Sequence, residues 1–463
     1  MSTPVSRRSF LRHSAAGGLG IALAGSIEAI AETGTARAAT RVLQGYGPLV
    51  PDPAGLLSLP AGFSYRIVAE AGVTLLDSGQ PTPSDPDGMA WFAAGRGGGG
   101  VLVCNHEIVF DEPYAVPTLP GLTYDPGARG GTTTIELTAG GERVREYVSL
   151  AGTLNNCAGG RTPWNSWLSC EEAEYLAQGP LQKDHGYVFE VHAFDREANR
   201  DPVPLKFLGR YAHEAVAVDP YTYAIYLTED AEGPNGLYYR WLPPQGFRGG
   251  KGALRALALS AGGDTAGRLQ AMACYDGRRP VADLSEASRP GTTYQVRWVD
   301  VPDRDARTTS IRSQFAAGQV THAHKLEGAY WGEGGAYLVS SFARTGDGSA
   351  REHDGQVWFY DPRTRTVTLK TIFGVNPDPA GGYGGPDNIA LSPHGGVILA
   401  EDGEGYNHLV GVTRDGTPYM LARNEANESE FAGPTFSGDG SILFANIYSP
   451  GHVLAVTGPW QRT

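Results

Sequence analysis

Four cysteines in 463 residues allow at most two disulfides, too few to be the main staple of so large a chain. No basic run offers phosphate contacts, and the formal net charge is -13, so nucleic acid is excluded as a partner. Long apolar runs are missing too. The stretch Ala15 to Ala31 is weakly apolar, rich in Gly and Ala, and too short for a stable membrane span. A G-x-S-x-G motif is absent, which removes the exposed serine of a strand-to-helix nucleophile elbow. What is abundant points elsewhere. With 64 glycines, 32 prolines and 10% aromatic residues, the chain suits many short strands joined by tight turns rather than long helices. Its length accommodates two average domains or one large all-β domain.

The N-terminus carries Ser6-Arg7-Arg8-Ser9-Phe10-Leu11-Arg12, a twin-arginine pattern, followed by the Gly/Ala-rich stretch and a small-x-small site at Ala36-Arg37-Ala38. Residues 1–38 therefore read as a Tat export signal, with the Tat translocon as a partner during export and a periplasmic or secreted destination for residues 39–463. No cysteine follows the cleavage site, which argues against a lipoprotein anchor. Tat substrates cross the membrane folded, which suits a protein that takes up metal before export.

After Ala39 the sequence falls into weakly similar modules: a strand, a turn, a second strand, then an outer hairpin. The modules open at Asp87, at Cys157, at His213-Glu214, at Leu326-Glu327, at Pro386-Asp387-Asn388 and at Glu430-Phe431. Alternating apolar and polar residues mark strands, and Asp-Gly and Pro-His-Gly-Gly turns mark hairpins. Six such units predict an all-β fold, a six-bladed β-propeller with a central metal site. Phe63 to Glu70 precedes the first unit and is expected to supply the outer strand of the last. Residues 251–321 read as an insertion between blades. A two-domain β-sandwich is the competing architecture.

In a propeller the first residues of each innermost strand converge at one mouth of the central channel. Those positions carry Asp87, Cys157, Glu214, Glu327, Asp387 with Asn388, and Glu430. Second-strand ends approach the same face with Glu107, Glu171 or Glu172, Glu229 or Asp230, and Glu401 or Asp402. So many carboxylates cannot all stay ionised together without cations between them. Oxygen ligands of this kind suit calcium, and carboxylates joined by one thiolate suit a harder transition metal such as iron. For Cys157 and Cys170, at either end of one strand-sized unit, a disulfide is the alternative reading.

The stretch Asn156-Cys157-Ala158-Gly159-Gly160, Thr162-Pro163-Trp164, Trp167-Leu168 and Cys170-Glu171-Glu172 resembles the hallmark of the PhoX-type alkaline phosphatases. Asn105-His106-Glu107, His213-Glu214-Ala215-Val216, Pro386-Asp387-Asn388 and Gly433-Pro434-Thr435-Phe436-Ser437 resemble further family motifs in the same order. The resemblance implies a hydrolase of phosphate monoesters with an iron(III) and calcium (Fe3+, Ca2+) cluster. Cys157 then matches the iron thiolate, Glu214 and Glu327 match cluster carboxylates, and Glu229 or Asp230 matches a calcium ligand. Glu171 and Glu172 match the acidic pair of the hallmark, and Asp387 and Glu107 complete the expected metal set. One departure matters. The family's phosphate-contacting arginine is replaced by Lys325, which offers charge without the bidentate fork. Lys325 is the expected phosphate-binding charge, and Arg344 or Arg351 of the same blade could stand in for the family arginine. Two other functions compete: a calcium-dependent lactonase-like propeller hydrolase, and a non-catalytic propeller whose ions only hold the ring together.

Overall fold

A computed structural model describes residues 45–95, 98–260, 263–376 and 382–461, the side chains of 263 and 264 excepted. The expected export signal, residues 1–38, lies outside them. Antiparallel strands dominate, and the only α-helix among the described residues is the short Ala253–Ser260. No helix among these residues is long and apolar enough to cross a membrane.

Six inner strands close a ring. Pro86–Ala93 packs against Asn156–Arg161, then in turn come His213–Val218, Leu326–Gly332, Pro386–Leu391 and Phe431–Phe436, which packs back on Pro86–Ala93. Each inner strand begins a blade, numbered 1 to 6 in chain order. Most blades add three antiparallel strands outward, whereas blade 2 has only three in all: Asn156–Arg161, Ser166–Glu171 and Val188–His192. Hydrogen bonding divides the strands into five sheets rather than six, because blades 3 and 4 are fused. Residues 251–321, expected as an insertion, supply that fusion. Arg268–Asp276 is the outer strand of blade 3, and Thr293–Asp300 pairs both with it and with Thr366–Phe373 of blade 4.

The N-terminal segment clamps the other side of the ring. Ser64–Glu70 pairs with His452–Thr457 and completes blade 6, as the sequence predicts. Leu57–Pro60 extends blade 5 beyond Pro418–Asn424. Between blades the inner faces interdigitate. Trp91 stacks on Phe444 at 5.4 Å within a cluster that includes Val68, Met89 and Leu102. Burying a side chain such as Phe444 contributes about 1.5–3 kcal/mol.

The inner strands approach one another closely where their residues are smallest. A Cβ on Gly88 would stand 2.5 Å from Ala158 Cα, and one on Gly328 2.7 Å from the Asp387 carbonyl. Neither distance is sterically tolerable, so these glycines set the ring's diameter. The channel they surround holds about 250 Å³.

Candidate metal centre

Each inner strand carries a β-bulge at the same step. Pairing jumps between Pro86 and Met89, Asn156 and Gly159, His213 and Val216, Leu326 and Ala329, Pro386 and Ile389, and Ala432 and Thr435. Two residues there oppose one on the partner strand, which breaks the alternation and re-aims the first of them. Those first residues are Asp87, Cys157, Glu214, Glu327, Asp387 and Gly433. In five blades the bulge therefore presents a group able to bind a cation.

Bulged carbonyls lose their ladder partners, and polar side chains on the neighbouring blade take them up. Asn105 donates from Nδ2 to the carbonyls of Cys157 (2.9 Å) and Ala158 (2.7 Å), while its Oδ1 accepts from Trp167 Nε1 and Ser169 Oγ. The Thr228 hydroxyl donates to the Glu327 carbonyl at 2.6 Å. Asn388 links blades 5 and 6, its Oδ1 accepting from Gly433 N at 2.6 Å.

The donor atoms form three overlapping groups, within each of which all lie within 4.8 Å of one another. They are Cys157, Glu172 and Glu214; Glu214, Glu327 and Asp387; and Asp387, Asp402 and Glu430. Glu214 and Asp387 each belong to two, so the groups form a continuous line. Burial pushes the Cys157 thiol well above its ordinary value, reinforced by the charges of Glu214 and Glu172. Burial likewise raises Asp87, with Glu107, Asp387 and Glu430 adding to it. A thiol and carboxylates held this close favour the protonated forms unless positive charge enters among them. The donor set, one sulfur followed by oxygens, fits a thiolate-binding metal next to oxygen-binding cations.

Of the residues named from sequence, Cys157, Glu172, Glu214, Glu327 and Asp387 are brought together here. Asp402 and Glu430, named only as acids near the mouth, join them. Glu107 stands beside Asp87 and hydrogen-bonds it, outside the three groups. Glu171 is fully buried and turned away: Leu154 N, Gly186 N and Tyr187 N donate to its oxygens, and His185 Nδ1 lies 2.6 Å away. Glu229 accepts from Leu237 N and the Tyr239 hydroxyl and meets Arg312 at 3.0 Å. Burial nevertheless raises Glu229 to about 7. Asp230, half-buried, belongs to none of the groups.

Lys325 Nζ lies 3.2 Å from Glu327 and 3.6 Å from Asp402, which puts its ammonium at the line of donors. The backbone there is left-handed, with φ +45°. Arg344 is committed within blade 4, to Asp354 Oδ1 at 2.6 Å and to the carbonyls of Ala343 and His353. Cys157 and Cys170 are not bridged; all four cysteines are free and buried. The disulfide alternative is thus set aside. Arg312 was not singled out from sequence, because a lone arginine in a loop carries no periodic or motif signal.

A closed propeller whose bulges gather carboxylates and one thiol defines a class of β-propeller able to hold several cations at one mouth. Residues 44–451 match the family model for the alkaline phosphatase PhoX, and the chain belongs to that family. This makes it a phosphoric monoester hydrolase. The fold is similar to that of Pseudomonas fluorescens PhoX in complex with vanadate, with a TM-score of 0.63 and 16% sequence identity over 87% of this chain and 96% of that one. The β-propeller domain of Cps50 (Swd1) from Myceliophteria thermophila aligns over 86% of this chain and all of that one, with a TM-score of 0.40 and 11% identity. No curated protein sequence matches significantly.

Proposed function

We propose that the chain is an exported alkaline phosphatase that uses iron(III) at Cys157, Glu172 and Glu214 and calcium at the carboxylate groups that follow. The observation that carries this is the line of three donor groups sharing Glu214 and Asp387, with sulfur at one end only. Cations bound there would polarise phosphoryl oxygens and acidify water, the two services that phosphate-ester hydrolysis needs at neutral to alkaline pH. The P. fluorescens protein's complex with vanadate, a transition state analogue, supports the same chemistry in a family member.

The chain's own groups divide the work. Cys157, Glu214, Glu327 and Asp387 present their donors from bulges that the Asn105, Thr228 and Asn388 hydrogen bonds support, and Asn155 holds Glu172 by backbone and side chain. Lys325, poised on Glu327 and Asp402, offers a positive group to the phosphoryl oxygens as negative charge develops. A lysine acts there as a point charge, so it orients the phosphate less strictly than a forked arginine would. The twin-arginine run supports passage through the Tat translocon to the periplasm or beyond.

The experiment is metal content of the exported protein by mass spectrometry, alongside p-nitrophenyl phosphate turnover with and without calcium, for the native chain and Cys157→Ala. Iron plus calcium, calcium-dependent turnover, and loss of both iron and turnover in Cys157→Ala are expected. Calcium alone with no turnover would overturn the reading. Survival of an activity in Cys157→Ala would instead favour a calcium-only, lactonase-like site.

A further inference from the structure

Beside the donor groups lies an ion triad that the metal centre does not use. Arg312 sits in the single turn Ile311–Ser313, within the stretch that fuses blades 3 and 4. Its Nη1 stands 2.6 Å from Glu174 Oε2 and 3.0 Å from Glu229 Oε1. The side chains of Arg312 and Glu229 are 13% and 0% exposed, so water screens this contact weakly. Ile311, one residue earlier, is buried in the core cluster with Leu208, Leu254 and Trp241, which anchors the turn.

The two carboxylates come from different places. Glu229 ends the second strand of blade 3. Glu174 lies two residues beyond Glu172, the carboxylate that completes the first donor group with Cys157 and Glu214. Glu172 itself is tied by backbone to Asn155 and bridges Ala212, and Ala173 between the two acids is buried. The arginine thus fastens the segment that presents Glu172 to the rigid blade 3 sheet.

We infer that Arg312 is a positioning residue: by clamping Glu174 to Glu229 it holds Glu172 where Cys157 and Glu214 can share a cation with it. The inference rests on the reading of the Cys157 group as a metal site. A guanidinium suits the task because Nη1, with its two N–H bonds, meets both carboxylates at once and the group stays charged at any working pH. Asn155 holds Glu172 from one side, its Nδ2 donating to Oε2 at 3.0 Å. Without the clamp the segment loses its anchor on the other side, at Glu174, and the carboxylate is held less firmly when the metal arrives, which weakens binding. On this view Glu229 binds no metal, since the arginine already supplies its positive charge.

The test uses the full-length exported chain, stripped of metal and titrated with iron, bound iron being counted by mass spectrometry. Four variants are compared: Arg312→Ala, Arg312→Lys, the double Arg312→Met with Glu229→Gln, and Cys157→Ala. The double variant leaves no carboxylate stranded in place of the Arg312–Glu229 pair, so it separates positioning from simple charge balance. Iron affinity is expected to fall about tenfold or more in Arg312→Ala and in the double variant, with partial recovery in Arg312→Lys. Wild-type iron affinity in a double variant that melts like the wild type would overturn the proposal, leaving Arg312 as a counter-charge for Glu229. If Cys157→Ala abolishes iron binding while every Arg312 variant keeps it, the proposal alone fails. If Cys157→Ala binds iron as the wild type does, the metal reading fails and takes the proposal with it.

Discussion

Two rows of acids stand one residue apart at this propeller's mouth and behave in opposite ways. Glu171, Glu229 and Glu401 are the last residues of three second strands, all buried. Each already has a positive or protonatable partner from the protein: His185 for Glu171, Arg312 for Glu229, and His408, at 2.7 Å, for Glu401. Of the acids that come next in sequence, Glu172 and Asp402 point the other way by strand alternation and join the donor groups, whereas Asp230 joins none. Acid density alone therefore does not mark a metal site. What marks it is clustering: the outer acids lie within reach of further carboxylates and a thiol, with Lys325 set beside Glu327 and Asp402, whereas each inner acid is enclosed by a protein partner of its own.

The sharpest way to break this comparison is to neutralise one acid from each row. Glu214→Gln removes a donor shared by two groups, and turnover of p-nitrophenyl phosphate should fall about 10³-fold, with metal equivalents lost in parallel. Steady-state kinetics and mass spectrometry on the same preparation check it. A Glu214→Gln enzyme with full metal and native turnover would show that the groups are not the centre. Glu171→Gln should do the reverse. It leaves the His185 and backbone donors without their anionic partner, which costs about 3–5 kcal/mol of stability in urea unfolding. Turnover per folded molecule should change far less. If Glu171→Gln instead strips metal while leaving the unfolding midpoint in place, the two rows have been assigned the wrong way round.

The propeller was legible in sequence because its signals are local and repeated: alternating strands, Gly-rich turns, and a strand from Phe63 to Glu70 with no partner nearby. The acids at the mouth were legible as a set for the same reason. The choice within each pair was not. Glu171 against Glu172 depends on which face of one strand looks inward, and the bulges that reset that phase leave no distinct pattern in the residues. Glu229 carried a further ambiguity, since its partner Arg312 comes from 83 residues away in a stretch without a repeat signal. The fusion of blades 3 and 4 was hidden likewise: Thr293–Asp300 reads as one more strand and nothing in it says that it pairs with two blades.

Lys325 gives a smaller effect that sharpens the comparison from the cation's side. Its ammonium already touches Glu327 and Asp402, so on the proposed function it would share its charge between the donor line and the substrate. Lys325→Met should raise KM for p-nitrophenyl phosphate about tenfold with a lesser change in kcat, whereas Lys325→Arg should keep or lower KM. An unchanged KM in Lys325→Met would remove the residue from phosphate binding. Arg344→Lys, by contrast, should leave KM alone, because that guanidinium is spent on Asp354 and two carbonyls.

The smallest effect is a pH dependence in the inner row. Burial works against the His185 imidazolium, but the charges of Glu171 and Asp125, at 2.6 and 3.3 Å, outweigh it and hold the group above its ordinary value. A group whose pKa is raised by folding contributes stability that is full below its unfolded value, about 6.5, and is lost as pH climbs through the folded value. The stability gap between the native chain and His185→Gln, read from urea midpoints of metal-free protein, should therefore narrow as pH rises from about 6 to 9. Glu171 would lose its counter-charge over the same range. A gap that widens with pH would mean that His185 is neutral in the folded chain. The inner row would then owe its quiet not to charge pairing but to the backbone N–H groups of Leu154, Gly186 and Tyr187 alone.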